Sequence, residues 1–277
     1  MVRHHRQRRA VEPYERDPAP EWLFEPRPLP ADRIFEELTV PRAEAPALTV
    51  TADAGTFVAV TRAEGRDWSV RFSAPPEERD PSLRRAGATV LLGGRHPARP
   101  RLDAFLHVSA PADAPLVLYV SYGTLYVRDL AGPVHAAAPH GRITLLNTGG
   151  DVDATGGVID FAGSSGRVVL SADGEINVKV TGDRFAGSLL AWAQGPVRVR
   201  VPADFRGPFE ALVSHEDQFV CRAALRARIR AAAERGLWKV VCGAANGAAP
   251  GDITHLRSER ATVVIDQIGV DPSRAST

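Results

Sequence analysis

A five-residue phrase, glycine–any–apolar–any–apolar, returns five times between Gly123 and Val199 and constrains this chain more than any other feature. It reads Gly123-Thr-Leu-Tyr-Val127, Gly141-Arg-Ile-Thr-Leu145, Gly157-Val-Ile-Asp-Phe161, Gly174-Glu-Ile-Asn-Val178 and Gly195-Pro-Val-Arg-Val199, at spacings of 18, 16, 17 and 21 residues. A second phase runs between these phrases. Gly132-Pro-Val-His135, Gly150-Asp-Val-Asp153 and Gly166-Arg-Val-Val169 each open another short run, and Gly182-Asp-Arg-Phe185 does so more weakly. Two strand-and-turn units every 16 to 18 residues describe a coil with two short strands per rung. Glycine is expected at each corner to supply positive φ.

A single rung buries almost no surface. Stacked at about 4.8 Å, rungs pair their backbones and bring Leu125, Ile143, Ile159, Ile176 and Val197 into one inward column. Val127, Leu145, Phe161, Val178 and Val199 form a second. The predicted fold is therefore all-β, a β-solenoid or closely related stack of short strands. An antiparallel sandwich also produces short strands with frequent turns, but it does not require one phrase to recur in phase.

The residues between the inward positions carry no tuned chemistry. One outward column is Tyr126, Thr144, Asp160, Asn177 and Arg198; its neighbour is Thr124, Arg142, Val158, Glu175 and Pro196. Paired carboxylates facing one cleft, as a glycosidase needs, are not apparent. Phosphate-loop, nucleophile-elbow and His-Glu-x-x-His motifs are missing, and Gly163-Ser-Ser-Gly166 has corner composition. His135 and His140, with Asp151 or Asp153 nearby, fit exposed turn residues better than a metal site. The expectation is no catalytic residue, no cofactor, no metal and no enzyme activity.

Outside the repeat, alternation predicts strands at Leu48–Thr51, Gly55–Val60, Trp68–Phe72, Ala88–Leu92, Leu116–Val120 and Ala261–Ile265. Arg222–Glu234 reads differently: it is rich in alanine and arginine, lacks a β-branched run and stops at Gly236. This predicts one late α-helix, an insertion over about 222–235. Arg222, Arg226 and Arg230 recur every four residues, as a solvated stripe or a surface for an acidic partner. Residues 1–34 are predicted to be a disordered tail, 35–268 the folded domain and 269–277 a second tail. Within the first tail Trp22, Leu23 and Phe24 sit together, either folding back on the domain or docking a partner.

Apolar residues make up 44% of the 277, enough for a sizeable core, and a net charge of +1 gives no field to steer nucleic acid. The basic start, Met1 to Arg9, is followed by Val11-Glu-Pro-Tyr-Glu rather than an apolar export segment. No membrane helix is apparent, so a cytoplasmic location is expected. Cys221 and Cys242 form no Cys-x-x-Cys motif, and the sequence leaves their pairing open.

Several phrases together carry a family resemblance: Gly55-Thr-Phe-Val-Ala-Val60, Val108-Ser-Ala-Pro111, Leu118-Tyr-Val-Ser-Tyr-Gly123, the serial Gly-x-Ile-x-apolar rungs, and Pro202-Ala-Asp-Phe205. Over roughly 36–268 the chain resembles a family of bacterial adhesin-like domains of unknown function. The resemblance implies stacked β coils and no particular activity. The function expected is a non-enzymatic scaffold or protein-binding domain, with a protein partner or self-association. A surface adhesin and a polysaccharide-acting β-helix enzyme are the alternatives.

Overall fold

The computed structural model describes residues 34–52, 56–74, 82–93, 104–221, 227–230, 238–242, 254–258 and 260–268. Trp22, Leu23, Phe24, Arg222, Arg226 and, apart from Ile34, both predicted tails lie outside the described residues. What is described is all-β, with no α-helix and so no helix long and apolar enough to cross a membrane.

Seven strands precede the repeat: β1 (Ile34–Val40), β2 (Leu48–Ala52), β3 (Thr56–Arg62), β4 (Trp68–Ala74), β5 (Ser82–Ala86), β6 (Thr89–Gly93) and β7 (Ala104–Ala110). The repeat region supplies β8 (Leu116–Val120), β9 (Gly123–Arg128), β10 (Val134–Leu146), β11 (Val152–Gly163), β12 (Ser165–Ala172), β13 (Ile176–Val180), β14 (Ala186–Ala193) and β15 (Val197–Val201). Then come β16 (Phe209–Val213), β17 (Phe219–Cys221), β18 (Ala227–Arg230), β19 (Trp238–Cys242), β20 (Thr254–Ser258) and β21 (Val263–Gln267).

Two parallel ladders run through the repeat and share β10 and β11. The first half of β10 pairs with β8 and its second half with β9, the register shifting between Ala138 and Arg142. The inward columns pair as the spacing predicts. Leu125 sits opposite Ile143, Ile143 opposite Ile159, Ile159 opposite Ile176, and Ile176 opposite Val197. The second column, Val127 to Val199, is in register too, and every member of both columns is buried. Side by side on one face of the same strands, these columns join one continuous apolar core.

The phrase glycines have a different cause from the one expected. Among them only Gly123 has positive φ. They are required by close approach. A Cβ on Gly141 would lie 2.1 Å from the Gly123 carbonyl oxygen, and one on Gly174 or Gly195 would lie 2.5 Å from the carbonyl of the phrase glycine before it. The second phase forms a similar column through Gly132, Gly150, Gly166 and Gly187. Its last member is Gly187, opposite Gly166, and not Gly182.

Rung order departs from chain order at both ends. The β2 and β3 rung lies between β6 with β7 on one side and β8 with β9 on the other. At the far end β20 pairs with both β14 and β16, and β21 with both β15 and β17. The chain therefore lays down the β16–β17 rung first and later fills the gap behind it with β20–β21. Antiparallel strands flank the stack, β4 and β1 beside β7, β5 beside β6, and β19 and β18 beside β16.

The predicted helix is corrected where the chain is described: Ala227–Arg230 is strand β18, pairing Arg230 opposite Lys239. Ala-Arg-Ile-Arg alternates at period two as well as fitting a helix. Helix propensity amounts to only tenths of a kcal/mol per residue. A neighbouring strand rich in valine, Trp238–Cys242, satisfies the backbone groups by pairing instead. Cys221 closes β17, half-buried and opposite Ile265.

Near the β1 end, His107 lies between Arg71 of β4 and Ala59 of β3, its Nε2 3.0 Å from Thr61 Oγ1. Burial first, and the Arg71 charge second, lower its pKa below the ordinary imidazole value. The unfolded chain then binds more protons than the folded one as pH falls through the ordinary histidine range. His107 therefore contributes stability above that range and loses it on acidification. The urea midpoint should fall between pH 7.5 and 5.5, and His107→Gln should make that fall shallower. An unchanged slope in the variant would refute this role.

Candidate ligand-binding cleft

The two mixed outward columns are tied to one another by polar pairs. Arg142 Nε donates to Asp160 Oδ2 at 2.8 Å, and Asn177 Nδ2 donates to Asp160 Oδ1 at 3.1 Å and Glu175 Oε1 at 3.3 Å. Arg198 Nη1 donates to Glu175 Oε2 at 3.4 Å. Asp160 sits between donors from the rungs on either side, and Glu175 between Asn177 of its own rung and Arg198 of the next, so the residue types vary because they pair. Tyr126, at the head of its column, is buried, and burial raises its phenol pKa. This surface is occupied with holding itself together.

The two turn histidines raised by the sequence find ordinary places. His135 Nδ1 stands 3.9 Å from Asp153 Oδ2, and His140 stacks on Tyr122 at 4.7 Å. Among the described residues no group of three His, Cys, Asp or Glu side chains is placed to hold a metal. Arg230 has its backbone on β18. A broad hollow is lined, among the described residues, by Arg62, Ala63, Glu64 and Asp129, none of them aromatic. Its Asp129 carboxylate already accepts from Arg128 Nε at 2.7 Å and Asn147 Nδ2 at 2.9 Å.

A different composition gathers on the outer face of β14, β20 and β16, in a cleft of about 320 Å³. Period-two alternation sends Leu189, Ala191 and Ala193 inward, leaving Leu190 and Trp192 outside. Across the ladder Leu190 stands opposite His255, and His255 opposite Glu210. One row along, Trp192 stands opposite Arg257, and Arg257 opposite Leu212. All six line the cleft. Leu190 is 44% exposed, a large value for leucine on a folded face, and the Trp192 ring is half-buried.

The acid at the centre is held by bases. Glu210 Oε2 lies 2.8 Å from Lys239 Nζ on β19, and Glu210 Oε1 lies 3.6 Å from His255 Nδ1. An indole, an exposed leucine, a carboxylate, an imidazole and a guanidinium thus meet on a rigid sheet. The arrangement suits holding a molecule that has both an apolar face and hydrogen-bonding groups. None of these residues stands out in the sequence as a site. Leu190 and Trp192 are readable as outward apolar positions once Val168 and Leu170 fix the inward phase. Glu210 and His255 are not, because only the out-of-order rung sets His255 beside β14 and Glu210 one strand beyond it.

No protein-family model matches the chain, and no curated protein matches it. Among solved structures it is similar to a putative cell adhesion protein from Clostridium sporogenes, at 9% identity and a TM-score of 0.34, over 85% of this chain and 98% of that one. It is similar to a putative adhesin from Bacteroides fragilis, at 9% identity and a TM-score of 0.33, over 86% and 98%. A third, a putative adhesin from Parabacteroides merdae, has 6% identity and a TM-score of 0.29, over 85% and 96%.

Proposed function

We propose that this chain is a non-enzymatic binding domain, built as a β-solenoid, whose rigid stack presents the Trp192 cleft to a ligand. The solenoid reading is supported by the parallel, in-register pairing of residues 16 to 21 apart through successive rungs. The binding reading is carried by one observation: Trp192, Glu210, His255 and Arg257 meet on one outer face from three strands far apart in sequence. A fragment library screened by ligand-observed NMR tests it. Fragments should bind the wild type and lose saturation transfer with Trp192→Ala, while a variant with Lys179→Ala on an outward exposed strand position behaves as wild type. A screen whose hits all ignore Trp192→Ala would remove the cleft from consideration.

A second reading, self-association as a scaffold, is favoured by the same sheet face nearer its other end. Leu91, Val117 and Tyr119 are 40%, 38% and 42% exposed there, with Thr51 between Leu91 and Tyr119 in the ladder. Sedimentation velocity would show a concentration-dependent dimer that Tyr119→Glu dissolves. A monomer at all concentrations would leave the cleft as the functional face.

A further inference from the structure

On the premise that the cleft is a binding site, its side chains narrow what it takes. We infer that the ligand is a neutral saccharide, with one pyranose face on the Trp192 indole and its hydroxyls among Glu210, His255 and Arg257.

The charges argue first. Glu210 faces the cleft with Lys239 at 2.8 Å and His255 at 3.6 Å, and Arg257 lies diagonally from it, two residues beyond His255 on the neighbouring strand. An anionic ligand meets the Glu210 carboxylate, and a cationic one meets Lys239 and Arg257, so neither sign gains without repulsion. A neutral polar ligand meets no such conflict.

The hydrogen-bonding capacities argue next. A carboxylate accepts only, and its two oxygens offer about four lone-pair sites, of which Lys239 and His255 approach one each. A guanidinium donates only. A hydroxyl does both, so adjacent hydroxyls on one ring satisfy an acid and a base together. The apolar element completes the set. The negative face of an indole attracts the weakly positive C–H groups on one side of a sugar ring, and exposed Leu190 extends that surface. A volume of about 320 Å³ is at the small end of ligand sites.

The full chain should be titrated by calorimetry with cellotriose, maltotriose and mannotriose, with trigalacturonic acid and a neutral tripeptide as contrasts. At least one neutral trisaccharide should bind. Trp192→Ala should weaken it by ~10-fold or more, about 1.4 kcal/mol, with Glu210→Gln weaker than wild type and Trp192→Phe retaining part of the affinity. Trp192→Phe keeps the test valid should the alanine variant fold poorly. Tighter binding of trigalacturonic acid or of the tripeptide than of any neutral sugar would overturn the inference. So would the absence of saccharide binding alongside fragments that still depend on Trp192, a result that leaves the binding reading intact. Loss of every Trp192-dependent signal would sink both.

Discussion

Gly141→Ala is expected to destabilise the domain by about 3 kcal/mol or more, against near neutrality for Gly65→Ala. The added methyl at 141 would lie 2.1 Å from the Gly123 carbonyl oxygen and 3.1 Å from its carbonyl carbon and nitrogen. All three are backbone atoms of a paired neighbour, so no side chain can swing away. Relief requires the two rungs to separate, which lengthens hydrogen bonds on both sides of the corner. A Cβ at Gly65 meets nothing within 4 Å, and its φ is not in the left-handed range. There alanine only restricts the unfolded chain, which is neutral or slightly stabilising. Thermal melts should place Gly141→Ala roughly 6–12 °C below wild type. Equal melting of the two variants would show that the phrase glycines are not held by contact.

Phe161→Ala should cost a comparable amount, about 3–5 kcal/mol. Phe161 is 2% exposed, stands in register between Leu145 and Val178, and lies 6.3 Å from the Phe185 ring. Neighbouring rungs cannot collapse into the space, because their spacing is set by backbone pairing. Lys179→Ala, one residue along from Val178 and exposed, should stay within about 0.5 kcal/mol. Urea denaturation of the two variants measures the difference. Similar midpoints would mean that the inward column does not carry the core.

The contrast between these positions shows what the chain makes legible. A period of two separates Ile143 from Thr144 and Phe161 from Asp160, and the recurring glycine sets the phase, so both inward columns follow from local pattern alone. The reason for the glycine does not follow. Positive φ and close backbone approach select the same residue, and only the packing of Gly141 on Gly123 separates them. Strand β18 reads as a helix because Ala and Arg favour one locally, while its pairing partner Trp238–Cys242 is eight or more residues away. The cleft is hidden for a similar reason. Thr254–Ser258 alternates like any other strand, and nothing within it says that it lies between β14 and β16.

That inserted rung is what the proposed site depends on, and cysteine cross-linking tests it directly. In a background with Cys221 and Cys242 changed to serine, Leu190→Cys should form a disulfide with His255→Cys, its neighbour in the ladder. Leu190→Cys with Glu210→Cys should not, because a strand between them sets the Cα atoms about 9.6 Å apart, beyond disulfide reach. The reverse outcome, a bridge from 190 to 210 and none to 255, would place the rungs in chain order and dismantle the cleft.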